Sequence, residues 1–67
     1  ELVAKPGSRI TRKPVKNLHL PKDMTLGGLI RDNVPMMVEG NTQIQANDRV
    51  MVFCFESAMR KLKDYFN

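Results

Sequence analysis

The fold is decided by one apolar run, Asp48-Arg49-Val50-Met51-Val52-Phe53-Cys54-Phe55. Six apolar residues follow Arg49 without interruption, and they are rich in β-branched and aromatic types, which favours a strand over a helix. Successive side chains of a strand point to opposite faces, so Val50, Val52 and Cys54 share one face and Met51, Phe53 and Phe55 share the other. Both faces are apolar, which predicts a central strand that is covered on both sides.

A chain of 67 residues is too short to supply both covers. A domain of this size buries only about 60% of its unfolded surface and is marginally stable alone. One convincing helix is predicted, with Ser57 as its N-cap and an apolar stripe made of Ala58, Met59, Leu62, Tyr65 and Phe66. This helix covers one face of the sheet. The face that carries Met51, Phe53 and Phe55 is left without a cover, and this shortage points to a missing partner.

Residues 24–31 predict another strand, although Gly27-Gly28 interrupts it. Strict alternation places Met24, Leu26 and Ile30 on one face and Leu29 on the other. Paired glycines weaken a strand, and they indicate a bulge or the close approach of another backbone.

Turn residues define the connections around this strand. Asp32-Asn33 predicts a tight turn, because both side chains satisfy nearby backbone groups and tolerate left-handed φ. The returning strand, residues 34–38, contains Pro35, which lacks a backbone donor and so belongs at an edge. Asn47, in the turn before the central strand, is a second candidate for left-handed backbone.

The N-terminal part predicts less regular structure. Residues 2–4 form a short strand that ends at Pro6-Gly7, and a short helix follows near Val15, capped by Thr11. The expected fold is therefore α+β. It is a small, mainly antiparallel sheet with a short helix in the N-terminal half, a C-terminal amphipathic helix, and one sheet face left for a partner.

Positive charge is concentrated at the N-terminal end of the chain. The net charge is +4, and residues 1–22 carry six basic residues against Glu1 alone. Such a region favours anionic partners, although a solvated basic loop explains the same pattern. No aromatic residue lies among these bases to stack on nucleotides, so no nucleic-acid partner is expected.

The residue types that carry catalysis are scarce. His19 and Cys54 are the only histidine and the only cysteine, and they fall in different kinds of segment. Nucleophilic catalysis needs a base within hydrogen-bond reach, and one His with one Cys does not make a zinc site. We expect no enzyme activity, no metal and no resident cofactor, and we interpret Cys54 as a core residue.

The order of elements resembles the TrkA-C domain, also called RCK-C. The most specific part is residues 40–53, which resembles the family pattern G-[DN]-T-x-[IL]-x-x-G-D-x-[LV]-x-V-[FY]. Asn47 stands where that pattern has Gly, and residues 12–14 replace a frequent Gly-Lys. The earlier portion of the family pattern is matched at Leu18, Leu20, Pro21, Ile30 and Arg31.

The resemblance implies a regulatory role in potassium transport. It implies that residues 1–67 form one cytoplasmic domain of a longer chain, behind a Rossmann-type lobe, at the inner face of the membrane beneath a potassium transporter or channel. In the family this lobe pairs with a second copy, which implies a homodimer with one sheet face paired, and some members bind a small anion, including a cyclic dinucleotide. Candidate ligand-binding residues here are Arg12, His19 and Arg31. The chain's start at Glu1 also suggests an excised piece of a longer protein.

Two alternatives stay open. The first alternative to a ligand-sensing domain of potassium transport is a ligand-free assembly module. The second is the regulatory domain of another cation transporter or antiporter. The first shares the pairing but predicts no stabilisation by small anions. The second differs only in the transported ion.

Overall fold

The computed structural model describes residues 1–67 as one antiparallel sheet with a C-terminal helix. The strands are β1 (Leu2–Val3), β2 (Met24–Arg31), β3 (Val34–Met37) and β4 (Arg49–Cys54), and the helix is α1 (Met59–Phe66). Single 3-10 turns occupy Arg9–Thr11, Val15–Asn17 and Glu56–Ala58. The predicted α+β class is confirmed. No helix is long and apolar enough to cross a bilayer.

Strand β4 is central, as its sequence predicts. The sheet order is β1-β4-β2-β3, so β4 pairs with β1 on one side and β2 on the other. Val50 is fully buried and Val52 and Cys54 are half-buried, whereas Met51 and Phe53 are exposed. The two faces predicted for this strand are therefore real, and they differ in whether the chain covers them.

One face of the sheet, here called the inner face, packs on the core. Helix α1 and the 3-10 turn Arg9–Thr11 contact each other and cover this face together. Twelve buried side chains form one cluster: Ala4, Ile10, Leu18, Met24, Leu26, Leu29, Ile44, Val50, Ala58, Leu62, Tyr65 and Phe66.

The glycine pair in β2 produces a bulge, and the bulge corrects one prediction. The register with β4 shifts between Leu26 and Gly28. Because one extra residue is inserted, Leu29 moves to the inner face beside Val50, where it is 1% exposed. Its predicted placement opposite Leu26 was wrong, since strict alternation does not survive a bulge.

The β2–β3 hairpin follows the predicted turn chemistry. Asp32 and Asn33 both have positive φ, 51° and 65°, which is the geometry of a two-residue turn that matches the twist of the strands. Strand β3 lies at the edge of the sheet, as Pro35 requires, although it ends at Met37 rather than at residue 38. Asn47 is also left-handed, with a φ of 73°.

The start of β4 is held by an ion pair between the buried Asp48 and the half-buried Arg31, which the sequence did not predict. Arg31 donates from Nε to Asp48 Oδ1 at 2.9 Å and from Nη2 to Oδ2 at 2.7 Å. Asp48 Oδ2 also accepts the backbone N–H of Gln45 at 2.8 Å. Ala4, just beyond β1, donates to the carbonyl of Asp48 at 2.9 Å. This one residue therefore joins β2, the preceding loop, β4 and the N-terminal strand.

Two predicted helix caps are wrong. Ser57 lies in a 3-10 turn before α1, where its hydroxyl donates to Asp23 Oδ2 and accepts no N–H from the first turn of the helix. Thr11 belongs to the 3-10 turn Arg9–Thr11, where its hydroxyl donates to the Ser8 carbonyl at 2.7 Å. In both cases the residue lies inside a 3-10 turn rather than at the N-cap position of the predicted helix.

Replacing Asp48 with Asn tests the ion pair. Asp48 is 1% exposed, so Asp48→Asn leaves Arg31 without its anion and is expected to lower the free energy of unfolding by about 3 kcal/mol at neutral pH. Urea denaturation measures this, with the exposed Asp64→Asn as the matched control, expected to change it by less than about 0.5 kcal/mol.

The pH dependence of the same pair gives a second readout. Hydrogen bonds from Arg31 hold the pKa of Asp48 below its ordinary 3.8, although burial acts in the opposite direction. The stabilisation is therefore full above about pH 4 and is lost as the pH falls through the lowered pKa of the folded state. The difference between wild type and Asp48→Asn must shrink over that range, and a difference that stays constant contradicts the assignment.

Candidate functional site

The face of the sheet away from α1, here called the outer face, is apolar and open to solvent. Strand register places Thr25 beside Phe53, and Gly28 beside both Met51 and Met37. Exposed fractions are 64% for Phe53, 74% for Phe55, 76% for Met37 and 40% for Met51. Monomeric proteins rarely expose a contiguous apolar surface of this kind without a binding role.

On the outer face, Gly27 leaves room for the aromatic ring of Phe53. A Cβ atom at this position would come within 2.8 Å of Cε2 of Phe53, so the aromatic ring lies directly over the glycine backbone. Shallow cavities open at both ends of this surface. One of about 430 Å³ is bordered by Phe53 and Phe55, and one of about 310 Å³ by Met37 and Met51. The surface is therefore suited to an apolar partner with complementary protrusions.

A second surface, here called the basic cleft, lies between the N-terminal loop and α1. It consists of two adjoining cavities, of about 250 and 360 Å³, that share Arg9 and His19. The smaller cavity also contains Arg12 and the larger one Lys61. The structure thus brings together two of the predicted ligand residues, Arg12 and His19.

Arg9 and Lys61 were not predicted as site residues. The basic composition of the N-terminal half includes Arg9, but no local pattern singles it out. Lys61 follows the polar side of the helix, and only the tertiary packing brings it to the cleft. Arg9 is oriented by Tyr65, whose ring centroid lies 4.3 Å from the guanidinium carbon, a cation–π distance.

Arg31, the third predicted ligand residue, lies in another part of the fold. Its guanidinium is engaged by Asp48 and also donates to the Gln43 carbonyl at 3.3 Å. The hydrogen bond with Asp48 raises the pKa of Arg31. A ligand at Arg31 would have to compete with this carboxylate, so the geometry favours a structural role for Arg31, and ligand binding there stays a prediction.

The remaining reactive groups form no further cluster. Cys54 is half-buried, and its sulfur lies 3.4 Å from that of Met59. No group of three or more His, Cys, Asp or Glu side chains is close enough to hold a metal ion.

Comparison with known proteins gives a consistent set of relatives. A model of the TrkA-C domain matches residues 1–67. The chain is 34% identical over 59 residues, 88% of its length, to the Trk system potassium uptake protein TrkA homolog of Archaeoglobus fulgidus. It is 29% identical over 66 residues, 98% of its length, to Trk system potassium uptake protein TrkA homolog 1 of Methanosarcina mazei.

A third relative is the Trk system potassium uptake protein TrkA of Azorhizobium caulinodans, 29% identical over 59 residues, 88% of the chain. The matched segments make up 14%, 15% and 13% of the three relatives in the order given. The chain therefore spans about one seventh of the length of the curated relatives it matches.

The position of the Phe53 ring can be tested by NMR. Because the ring covers Gly27, the Hα resonances of this glycine are expected upfield of their random-coil position, and Phe53→Leu should remove that shift. Gly40, whose nearest neighbour is the aliphatic part of Lys16, is the control and should not change. An unchanged Gly27 shift in Phe53→Leu would place the ring elsewhere and contradict the described outer face.

Proposed function

The chain belongs to the TrkA-C domain family, and on that premise we propose that it is a non-catalytic regulatory domain that pairs with a second copy and responds to a small anion. The resemblance carried by residues 40–53 is confirmed by the family match. The observation that carries the pairing is the exposure of Met51 and Phe53 on the central strand and of Phe55, which follows directly after it rather than belonging to it as predicted.

The names of the relatives support a role in potassium transport. All three are Trk system potassium uptake proteins, and they are much longer than this chain. We place residues 1–67 as one domain of such a longer protein, at the inner face of the membrane, where it associates with a potassium transporter. A different transported cation remains the alternative for the parent protein.

Face-to-face pairing is favoured over extension of the sheet through β3. A two-residue hairpin closes on a hydrogen-bonded pair, here Arg31 and Val34, so the next residue of β3 directs its backbone nitrogen outward. That residue is Pro35, which has no hydrogen to donate. Proline on an edge strand protects against edge-to-edge association. Between the β3 edge and the outer face, the outer face is therefore the proposed docking surface for a second copy.

Pairing gives a ligand a means of control. A ligand that binds one relative orientation of two copies more tightly than another shifts the population toward it. The basic cleft, with Arg12 and His19, is the surface suited to an anionic effector.

A ligand-free assembly module is the second candidate function. It is favoured by the engagement of Arg31 with Asp48, which gives this predicted ligand residue a structural role.

Two exposed methionines allow a matched test of the pairing. Met51 on the outer face and Met59 on α1 are 40% and 46% exposed, so Lys at either position is tolerated by the monomer. Met51→Lys buries an unpaired charge in the proposed contact and should weaken dimerisation about a hundredfold or more. Sedimentation equilibrium measures this. Equal dimerisation of Met51→Lys and Met59→Lys contradicts docking through the outer face.

A thermal-shift panel tests the ligand response. Nucleotides and cyclic dinucleotides are compared on wild type and Arg12→Ala, with Arg60→Ala as the control for loss of a cation outside the cleft. An effector should raise the Tm of wild type and Arg60→Ala by several degrees, and that of Arg12→Ala by much less. Uniform indifference across the panel favours the ligand-free assembly module.

A further inference from the structure

We propose that the basic cleft binds a phosphate group of a small ligand, with Arg9 as the main contact and Lys61 and His19 beside it. The proposal rests on the proposed function, because it names the chemical class and the residues of the anion response. It also adds two residues to the predicted ligand contacts: Arg9, from the first 3-10 turn, and Lys61, from α1. These two residues are far apart in the sequence but border the same cavity.

The charges that line the cleft are unpaired. Four cations border it, Arg9, Arg12, Lys13 and Lys61, against the single carboxylate of Asp64. The ion pairs in the structure are Arg31 with Asp48 and Arg49 with Glu1, so none of the four cations has a carboxylate within 4.0 Å. With His19 neutral, the cleft carries a net charge of +3. Cations held together without counter-charges attract an anion strongly.

Arg9 is preorganised for this contact. Its guanidinium lies over the face of Tyr65, and the Tyr65 hydroxyl is directed to the Leu18 carbonyl at 3.4 Å. Tyr65 is 4% exposed, so the ring is a fixed support. An arginine stacked on one side keeps the donors at the edge of its planar group available, and those donors match the oxygens of phosphate in pairs. Little side-chain entropy remains to be lost when the anion binds.

The smaller cavity is also held in shape. Arg12 donates from Nε and Nη2 to the Gly7 carbonyl at 3.3 and 3.1 Å, which fixes its guanidinium against the loop. His19 has a φ of 52°, unusual for a residue other than glycine, and its side chain is exposed at the point shared by both cavities. Together the cavities have the size of small-molecule sites.

The position of the cleft links ligand binding to the core. One wall belongs to the N-terminal loop and the other to α1, and these two segments cover the inner face together. A phosphate that contacts Arg9 and Lys61 therefore ties them to each other. The expected consequence is that phosphate raises the stability of α1 along with that of the loop.

Inorganic phosphate is the probe for the experiment. The 67-residue chain is titrated with phosphate at pH 7 and constant ionic strength, with chloride as the balancing anion, and NMR follows the Arg9 side-chain N–H and the backbone amides. We expect saturable shifts at Arg9, His19 and Lys61. Arg9→Gln should weaken binding about tenfold, whereas Arg60→Gln, on the same helix outside the cleft, should leave it unchanged.

The outcomes distinguish binding of free phosphate from binding to an anionic membrane surface, and a wrong proposal from a variant that fails to fold. Unsaturable shifts, or equal weakening by Arg9→Gln and Arg60→Gln, overturn the proposal. Co-sedimentation with vesicles that contain an anionic lipid, without saturable binding of free phosphate, overturns it in favour of a membrane surface. If Arg9→Gln loses the dispersion of a folded chain, Lys61→Gln decides, since Lys61 is exposed.

Sedimentation of the same samples distinguishes this proposal from the proposed pairing. A dimer that does not bind phosphate overturns the cleft assignment and leaves the pairing intact. A monomer that binds phosphate saturably overturns the pairing and leaves the cleft assignment intact.

Discussion

A sheet with two apolar faces, in a chain that covers only one of them, is the constraint on which this structure depends. The central strand β4 carries valines toward the core and Phe53 toward solvent. The inner face is covered by α1 and the N-terminal loop, which exhausts the material available in 67 residues. Removing the outer face from water stabilises by roughly 25 cal/mol per Å² of apolar area. The proposed pairing would gain that free energy, and it is argued from the same sequence feature that defines the fold.

The remaining structure holds this sheet in position. Asp48 directly precedes the central strand; its carboxylate binds Arg31 and the Gln45 N–H, and its carbonyl accepts the N–H of Ala4, next to β1. Its carboxylate explains why a turn of polar residues precedes the most apolar segment of the chain. At the other end of β4, Phe55 donates its backbone N–H to the Asp23 carbonyl, and Asp23 in turn accepts from Ser57. Both ends of the strand are therefore fixed by aspartates, one buried and one near the surface.

The sequence predicted those features of the fold that are determined by residues adjacent in the chain. The bounds of β2, the left-handed residues Asp32 and Asn33, and the edge position of Pro35 all follow from residues adjacent in sequence. The predictions were wrong where a distant residue decides: Ser57 bonds Asp23, 34 positions away, and Leu29 changes face because of a bulge set by pairing with β4. Arg12 and His19, two of the ligand residues predicted from the sequence, border the basic cleft. Arg9 and Lys61 join it only because Tyr65 packs against the N-terminal loop, which no periodicity reveals.

The five methionines allow the central claim to be tested residue by residue. The chain, labelled at its methionine methyl groups, is observed by NMR with a soluble paramagnetic agent over a hundredfold range of protein concentration. Covering of the outer face predicts that the methyl groups of Met37 and Met51 become protected from the agent as concentration rises, while Met59 stays accessible and the buried Met24 stays shielded throughout. Equal accessibility of Met37, Met51 and Met59 at every concentration would contradict the account.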